Sequence, residues 1–432
     1  MELTDGVVKV HRLSNFAQSA LGCSAYAMSA GNRYRQRAVR VAMATCEFQV
    51  TLETVTPLFL GGSDPRGEPE LRAASFRGAL RFWLRALLGG ILGDRPDEIF
   101  KHESEVFGNT DHASPVVVQL SHQNFPSIGY SQLRQNRPGV AYLFFGARSL
   151  GNEPERKAIP SGFQFTCTFR LQAGMRDPKA LQAVVAALWL LTHLGGLGMR
   201  SRKGGGNLQV VSTDWNDPSL PPLTVQAQTV EQLQRELQDG LHSLREWAAE
   251  TFNGSLSPTF QTQPAFDVLH PNWCKIFVVK FDNNREPANW AEALNEFGRA
   301  MQQFRNRRDP DYSNVKAVLQ GSNQLPPVQR AAFGLPIVFY FRSLEGERAT
   351  LEGEEHDRRA SPLIVRVIKL ANGKCVLVLI RFHSPLLPAG ERLQLRHRER
   401  KVYTKQPSDA LLDEFLNHLS QRVAPLLEVK DW

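Results

Sequence analysis

The chain has 432 residues, in which 51 lysines and arginines outnumber 43 aspartates and glutamates and give a net charge of +8. This length exceeds the size at which one hydrophobic core usually keeps growing, which predicts two domains, and the basic balance favours a polyanion such as nucleic acid over a cationic partner. The five cysteines stand far apart with no C-x-x-C pair, which argues against a zinc motif or a redox dithiol and indicates a reduced, cytoplasmic protein.

Residues 1–42 differ in composition from the rest of the chain. They mix serine, alanine and glycine with a basic cluster between Arg33 and Arg40, and they show no sustained apolar period. We therefore expect a disordered extension or a start codon assigned too early. An RNA-binding arm is the alternative that these arginines leave open.

Residues 43–216 alternate strand and helix patterns. Alternating apolar and polar residues predict a strand at Cys46–Val55, and a helix capped by Ser75 should end at Gly89–Gly90. The remaining expected elements are strands at Val116–Leu120, Ala141–Phe145, Gly162–Leu171 and Asn207–Val211 and a helix at Leu181–Leu194. That helix is apolar nearly all round but carries polar residues and ends in glycines, so we expect it to be buried in the protein and not in a membrane. The order of elements is the split-βαβ, or ferredoxin-like, pattern.

A proline-rich linker is expected at residues 217–226, before a second domain at residues 227–432. The expected elements there are strands at Lys275–Phe281, Ile337–Phe341, Leu363–Lys369 and Cys375–Phe382 and helices at Trp290–Arg305 and Ser408–Val423. We interpret this half as a diverged copy of the first. The predicted fold class is α+β, with two ferredoxin-like (RRM-related, βαββαβ) domains that carry inserted hairpins and loops.

An arginine stripe is predicted on the first helix. Arg77, Arg81 and Arg85 recur every four residues, which places three guanidinium groups along one edge of the helix, where they could follow an RNA backbone. Gly78 weakens the same helix by about 1 kcal/mol, so its presence needs a reason such as the close approach of a ligand. The alternative is a solvated face whose arginine stems cover apolar surface.

The glycine-rich loop, residues 195–206, combines six glycines with Arg200, Arg202 and Lys203. Because it has few side chains to bury, we expect it to be held by what it binds, with successive N–H groups forming an anion-binding nest. A mobile tether is the alternative. The loop lacks the G-x-x-x-x-G-K-[ST] spacing of a P-loop and follows a helix instead of opening one, which argues against a nucleoside triphosphate.

Six segments, taken together and in this order, resemble the RAMP superfamily of CRISPR proteins, specifically the family of the first Cmr subunit of the type III-B effector complex. The segments are Thr56–Gly62, Pro69–Arg72, Ser75–Trp83, Val106–Gly108, Gly195–Gly206 and Arg358–Leu363. The resemblance covers about residues 46 to 390. It implies a non-catalytic subunit that holds the 3′ side of the guide RNA, near the target single-stranded RNA, beside other Cmr or RAMP subunits and away from any membrane. Cleavage and cyclic-oligoadenylate synthesis belong to other subunits in that family.

The residues expected to contact RNA lie in the first helix, the glycine-rich loop and a second basic patch near the C-terminal end. They are Arg72, Ser75, Arg77, Arg81, Arg85, Gly196, Gly198, Arg200, Ser201, Arg202, Lys203, Gly204, Gly206, Arg358 and Arg359. No cofactor and no metal site is expected.

Two other functions remain open at the level of the sequence. His193 ends the second helix beside the cationic loop, where it could act as the general base of a metal-independent endoribonuclease that processes CRISPR RNA. A single histidine without a placed partner acid is more often structural. The other possibility is an assembly-only subunit, whose cationic segments contact neighbouring subunits and no RNA.

Overall fold

The structure is a computed structural model that describes residues 47–174, 177–281, 286–306 and 309–432. The extension predicted at residues 1–42 lies outside the described residues.

Fourteen strands are present in the described part of the chain. They are β1 (Glu47–Thr54), β2 (Val116–Ser121), β3 (Ile128–Gly129), β4 (Lys157–Ala158), β5 (Gln164–Leu171), β6 (Leu208–Thr213), β7 (Cys274–Val279), β8 (Ile337–Phe341), β9 (Glu347–Gly353), β10 (Leu363–Lys369), β11 (Cys375–Phe382), β12 (Leu393–His397), β13 (Arg400–Thr404) and β14 (Leu426–Val429).

The same residues form nine α-helices. They are α1 (Ala73–Leu92), α2 (Pro96–Phe107), α3 (Tyr130–Leu133), α4 (Pro138–Leu143), α5 (Lys179–His193), α6 (Val230–Thr251), α7 (Trp290–Asn306), α8 (Asp311–Leu319) and α9 (Ala410–Arg422). Short 3₁₀ turns occur at Phe145–Ala147, Gln329–Phe333 and Arg342–Leu344. No helix within the described ranges is long and apolar enough to cross a membrane.

The N-terminal sheet has the strand order β2-β5-β1-β6, and all its neighbouring strands are antiparallel. Its first strand alternates as predicted, with Phe48, Val50 and Leu52 fully buried. Those side chains face a core to which helices α1 and α5 contribute. Thirteen of the fifteen residues of α5 are buried, which is why its sequence is apolar all round.

The C-terminal sheet has the order β10-β11-β7-β14, again antiparallel throughout. Every residue of β11 is buried because its alternate side chains enter two different cores. One core contains residues of α1, α5 and α6, and the other contains residues of α7 and α9. The helices and antiparallel sheets expected from the sequence are therefore confirmed as a mixed fold.

A third sheet of four antiparallel strands, in the order β13-β12-β9-β8, has its own core with residues of α8. Its sequence segments flank β10 and β11 on both sides, so it is an insertion into the C-terminal half. Strands β3 and β4 form a separate two-stranded ribbon.

The two halves of the chain pack against each other. Residues of both the N-terminal and the C-terminal sheets belong to one hydrophobic core. Lys203 of the glycine-rich loop pairs with Val365 of β10 in a parallel bridge, and residues 46–432 group into one compact unit.

Arg366 of β10 reaches further into the first half. Its guanidinium donates hydrogen bonds to the carbonyl oxygens of Leu191, Thr192 and Gly195 at the end of α5, and to that of Leu208 in β6. The Gly195 N–H also donates to the Leu191 carbonyl oxygen, and Asn207 Nδ2 donates to that of Gly195. A residue of the second half therefore adds to the cap at the end of a helix of the first.

Three local predictions are wrong. The strand expected at Ala141–Phe145 is instead helix α4 and a 3₁₀ turn, because Pro138 occupies the first helical turn and opens the helix. Helix α1 begins at Ala73 with Arg72 as its N-cap, so Ser75 is not the cap.

The glycine pair Gly89–Gly90 does not end α1 either. The helix continues to Leu92 and is closed by Gly93 at a positive φ of 70°. A Cβ at Gly90 would overlap the carbonyl oxygen of Leu269. The glycine pair therefore permits close packing of helix against chain.

Candidate nucleic-acid interface

The arginine stripe on α1 is partly neutralised. Arg81 Nε lies 2.5 Å from Glu103 Oε1, and Arg85 Nε lies 3.3 Å from Glu103 Oε2. Arg81 also donates to the carbonyl oxygen of Gly108. Glu103 belongs to helix α2, whose position against α1 could not be read from the sequence. Two of the three guanidinium groups predicted along this edge are therefore paired with a carboxylate inside the chain.

The start of α1 keeps uncompensated positive charge. Arg72 is exposed, Arg77 is half-buried, and neither forms an ion pair with any described residue. Arg77 Nε is buried without a hydrogen-bond acceptor. Beside it, a Cβ placed on Gly78 would meet no described atom within 4 Å. Packing inside the chain therefore does not explain this glycine, in agreement with a role in close approach, and the half-buried Ser75 lies on the same turn.

The glycine-rich loop is ordered by its own hydrogen bonds. The N–H groups of Leu197, Met199 and Gly206 donate to carbonyl oxygens of Gly206, Phe59 and Pro57, respectively. Residues 204–206 are buried, and a Cβ at Gly206 would overlap the carbonyl oxygen of Leu197. The expectation that this loop depends on a ligand for its order is wrong, because its glycines allow backbone to pack on backbone.

Only the tip of the loop retains the character of an anion nest. Within the described chain, the successive N–H groups of Arg200, Ser201 and Arg202 donate to no acceptor. Arg200 holds a left-handed φ of 65° and shapes this turn. Gly196 and Gly198 are half-buried beside the tip. Three adjacent free donors on a basic turn suit a phosphate oxygen.

A cluster of three arginines surrounds this tip. Arg148 and Arg156 lie close enough to Arg200 to lower its pKa, although burial of Arg200 is the larger cause of that shift and Tyr130 opposes it. None of the three forms an ion pair with a carboxylate among the described residues. The Arg148 guanidinium lies 3.8 Å from the ring centre of Phe145, which is 53% exposed. We call Arg148, Arg156, Arg200 and Phe145 the loop-tip cluster.

The sequence did not indicate Arg148 and Arg156. Both follow the segment that was interpreted as a strand, and the 3₁₀ turn Phe145–Ala147 is what brings them to the loop. A Cβ at Gly146 would overlap the Arg200 guanidinium, so this glycine makes room for the cluster. The sequence signal that could have found them is Pro138–Gly139, because a proline in this position is typical of a helix start and not of a strand.

Arg202 and Arg359 meet at one buried carboxylate. Asp267 accepts from Arg202 Nη2 at 2.7 Å and from Arg359 Nη2 at 3.1 Å, and Ser384 Oγ adds a bond of 2.6 Å. Burial acts to raise the pKa of Asp267, but the two guanidinium charges outweigh it and hold that pKa below its usual value. Of the two arginines expected to form a second patch, Arg359 therefore shares a carboxylate with Arg202 of the loop. Arg358 is 81% exposed, and among the described residues it pairs only with its neighbour Asp357.

Lys203 is not presented to an external phosphate. Its Nζ atom is buried and has no hydrogen-bond partner. Burial, followed by the charges of Arg305, Arg200 and Arg202, lowers its pKa to about 7. The expectation that Lys203 contacts RNA is wrong in this geometry, because its ammonium group faces the interior.

His193 lies in the core. Its side chain has no exposed surface, its ring stacks on that of Trp189, and Nδ1 bonds the Trp189 carbonyl oxygen at 2.9 Å. Burial lowers its pKa to about 3. An RNA 2′-hydroxyl cannot reach this imidazole, so the position does not suit a general base.

The comparisons with known proteins agree with the fold. The sequence profile of the RAMP superfamily matches residues 51–209. The chain is 30% identical to CRISPR system Cmr subunit Cmr1-2 of Pyrococcus furiosus over 173 residues, covering 37% of this chain and 92% of that protein. It is 26% identical to Cmr1-1 of the same organism over 344 residues, or 79% and 88% of the two chains. The chain therefore belongs to the RAMP superfamily, among the Cmr1 proteins.

Solved structures show the same fold. The crystal structure of apo Cmr1 from Pyrococcus furiosus matches with a TM-score of 0.60 at 20% identity, covering 89% of this chain and 99% of that one. A chain of the type III-B Cmr-beta complex bound to cognate target RNA, solved by cryo-electron microscopy, matches with a TM-score of 0.51 at 12% identity, covering 87% and 99%.

Proposed function

We propose that the chain is a non-catalytic, RNA-binding subunit of a type III-B CRISPR (Cmr) effector complex in the cytoplasm. It holds the 3′ side of the guide RNA and the nearby target single-stranded RNA and assembles with other Cmr subunits. The family supports the place in a complex, and the loop-tip cluster is the observation that carries the RNA contact. Three guanidinium groups without a carboxylate partner, beside free N–H groups and an exposed ring, match the needs of a phosphate and a stacked base.

The domain assignment forms part of this proposal. The N-terminal and C-terminal sheets both have the order second-third-first-fourth when their strands are numbered along the chain, and helices follow the first and third strands. That order supports two ferredoxin-like units, at residues 43–216 and 227–432, joined by the linker at residues 217–226.

The experiment that tests RNA binding is the salt dependence of affinity for a single-stranded RNA. Each lost phosphate contact should reduce the log–log slope by about 0.7. Arg148→Gln combined with Arg200→Gln should therefore flatten the slope by about 1.4. Lys401→Gln combined with Lys430→Gln is the matched control, because it also removes two charges, from exposed side chains outside the loop-tip cluster. Equal slopes for the double variant and the control would overturn the assignment.

The second candidate is an assembly-only subunit, because four of the arginines expected to contact RNA already form ion pairs with carboxylates inside the chain. They are Arg81, Arg85, Arg202 and Arg359. The same titration separates the two functions. A chain that joins the other Cmr subunits after ribonuclease treatment but shows no salt-dependent RNA affinity of its own would establish assembly alone. The ribonuclease alternative has no support in the buried position of His193.

A further inference from the structure

A cleft of about 410 Å³ opens between α1, α2 and the segment before β7. Its walls include three phenylalanines, Phe82, Phe100 and Phe266, together with the charged side chains of Arg85, Glu103 and Asp267. This volume lies in the usual range of pockets for small organic ligands, about 300–1,000 Å³. None of the three phenylalanines belongs to the loop-tip cluster or to the residues expected from the sequence to contact RNA.

The aromatic walls are held at defined positions. Phe266 packs so closely on α1 that a Cβ at Gly89 would lie 2.9 Å from its ring. The Phe82 ring makes an edge contact with Trp83, and the Arg202 guanidinium carbon lies 5.2 Å from the centre of the Phe82 ring. Phe100 is different, because 55% of it is exposed at the mouth of the cleft. An exposed ring at the rim of an aromatic cleft offers a stacking surface.

The polar wall has an open acceptor. Glu103 is only 1% exposed, and its Oε2 atom has no hydrogen-bond partner among the described residues, although Arg85 Nε lies 3.3 Å away. Asp267 is satisfied by Arg202, Arg359 and Ser384, so it serves to hold Arg202 beside Phe82. A buried carboxylate oxygen without a donor is costly, and a ligand N–H would relieve that cost.

We propose that this cleft binds one unstacked nucleobase that carries an exocyclic amino group. The base stacks against Phe100 and Phe82, its amino group donates to Glu103 Oε2, and its phosphate lies near Arg85. Cytosine N4 is a suitable donor to a glutamate, whereas uracil presents a carbonyl oxygen at the same position and would repel the carboxylate. The inference rests on the proposed RNA-binding function and adds base selection to it.

The test compares two labelled oligonucleotides of equal length, oligocytidylate and oligouridylate, by fluorescence anisotropy with the full chain. We expect oligocytidylate to bind roughly tenfold more tightly. Phe100→Ala should weaken its binding by roughly 5- to 150-fold, the range of one lost base–aromatic stack. Glu103→Gln should reduce the preference for cytosine, because an amide can both donate and accept.

Tyr340→Ala is the matched control, since Tyr340 is also about half exposed but lies in the third sheet. It should leave both affinities unchanged. An oligomer of abasic nucleotides provides the second control, because the effect of Phe100→Ala should vanish on it. An effect of the same size on abasic RNA, or no effect on any RNA, would overturn the nucleobase site.

Failure of this inference can be told from failure of the proposed function. If salt-dependent binding through Arg148 and Arg200 persists while Phe100→Ala has no effect, only the nucleobase site falls. If the chain binds no RNA, both fall. If Phe100→Ala impairs capture of the other Cmr subunits and leaves RNA affinity unchanged, the cleft receives a protein side chain and the nucleobase proposal is wrong.

Discussion

The Lys203 ammonium group occupies a buried site with no acceptor and with the cations Arg200, Arg202 and Arg305 around it. Its pKa near 7 in the folded chain lies below the ordinary value of 10.5. The unfolded chain therefore holds this proton between about pH 7 and 10.5 while the folded chain does not. Stability should rise with pH across that window.

We predict that Lys203→Met, which is unbranched and only one atom shorter, stabilises the protein most at pH 6. The reason is that the wild-type chain must bury a charge there. The difference in free energy of unfolding between variant and wild type should shrink by about 1.4 kcal/mol per pH unit above pH 7. Urea denaturation at several pH values measures it, and a difference independent of pH would contradict the buried-charge interpretation.

The sequence predicted which residues of the glycine-rich loop are charged, but not which of them are paired, buried or uncompensated. Arg200 retains uncompensated charge, Arg202 is paired with Asp267, and Lys203 points inward, although the three lie within four positions. Which of these charges is neutralised depends on Asp267, which the fold brings from another segment. No local pattern in the sequence identifies such partners.

At the scale of single elements, helix α1 contains glycines with opposite surroundings. Gly78 faces open space, whereas Gly90 touches the backbone of the segment before β7. Glycine costs a helix about 1 kcal/mol relative to alanine wherever alanine fits. We therefore attribute Gly78 to contact with an external partner and Gly90 to packing inside the chain.

We predict that Gly78→Ala raises the free energy of unfolding by about 0.5–1 kcal/mol and weakens RNA binding, because a methyl group would intrude where the ligand approaches. Gly90→Ala is the matched control. It should destabilise the protein, since its Cβ would overlap the Leu269 carbonyl oxygen. Thermal unfolding and RNA titration of both variants measure these effects. If Gly78→Ala is more stable but binds RNA as tightly as wild type, this face of the helix does not contact RNA.

Strong periodicity made most elements predictable. Strand β1 and helices α5 and α7 agree with the expected ranges to within a few residues, because their apolar patterns match the burial they acquire. Helices α2, α3, α6 and α8 and strands β3, β4, β9, β12, β13 and β14 were not predicted. Helix α6 buries one side against the shared core and is polar elsewhere, and the short strands of the third sheet are half-polar, so their patterns carry a weaker signal.

At the scale of the whole molecule, Asp267 ties three distant segments together through Arg202, Arg359 and Ser384. Its lowered pKa means that the folded chain favours the ionised form. That contribution is complete above the ordinary value of 3.8 and is lost as the pH falls through the lower pKa of the folded chain.

We predict that Asp267→Asn costs about 3 kcal/mol at neutral pH, because two guanidinium groups lose their counter-charge. It should also make the fall in stability below pH 4 less steep. Asp357→Asn is the control, since that exposed carboxylate meets only its neighbour Arg358. Thermal unfolding from pH 3 to pH 7 measures both, and matching acid profiles for Asp267→Asn and wild type would contradict this role of the carboxylate.

The reach of Arg366 from β10 to the end of α5 gives the chain a property that neither half has alone. Separating the halves would remove the carbonyl acceptors of the Arg366 guanidinium on one side and a donor to four carbonyl oxygens on the other. Each fragment would therefore carry its own penalty, which only the other fragment removes. The two halves are therefore mutually dependent, and we expect the residues that link them to unfold in one cooperative transition.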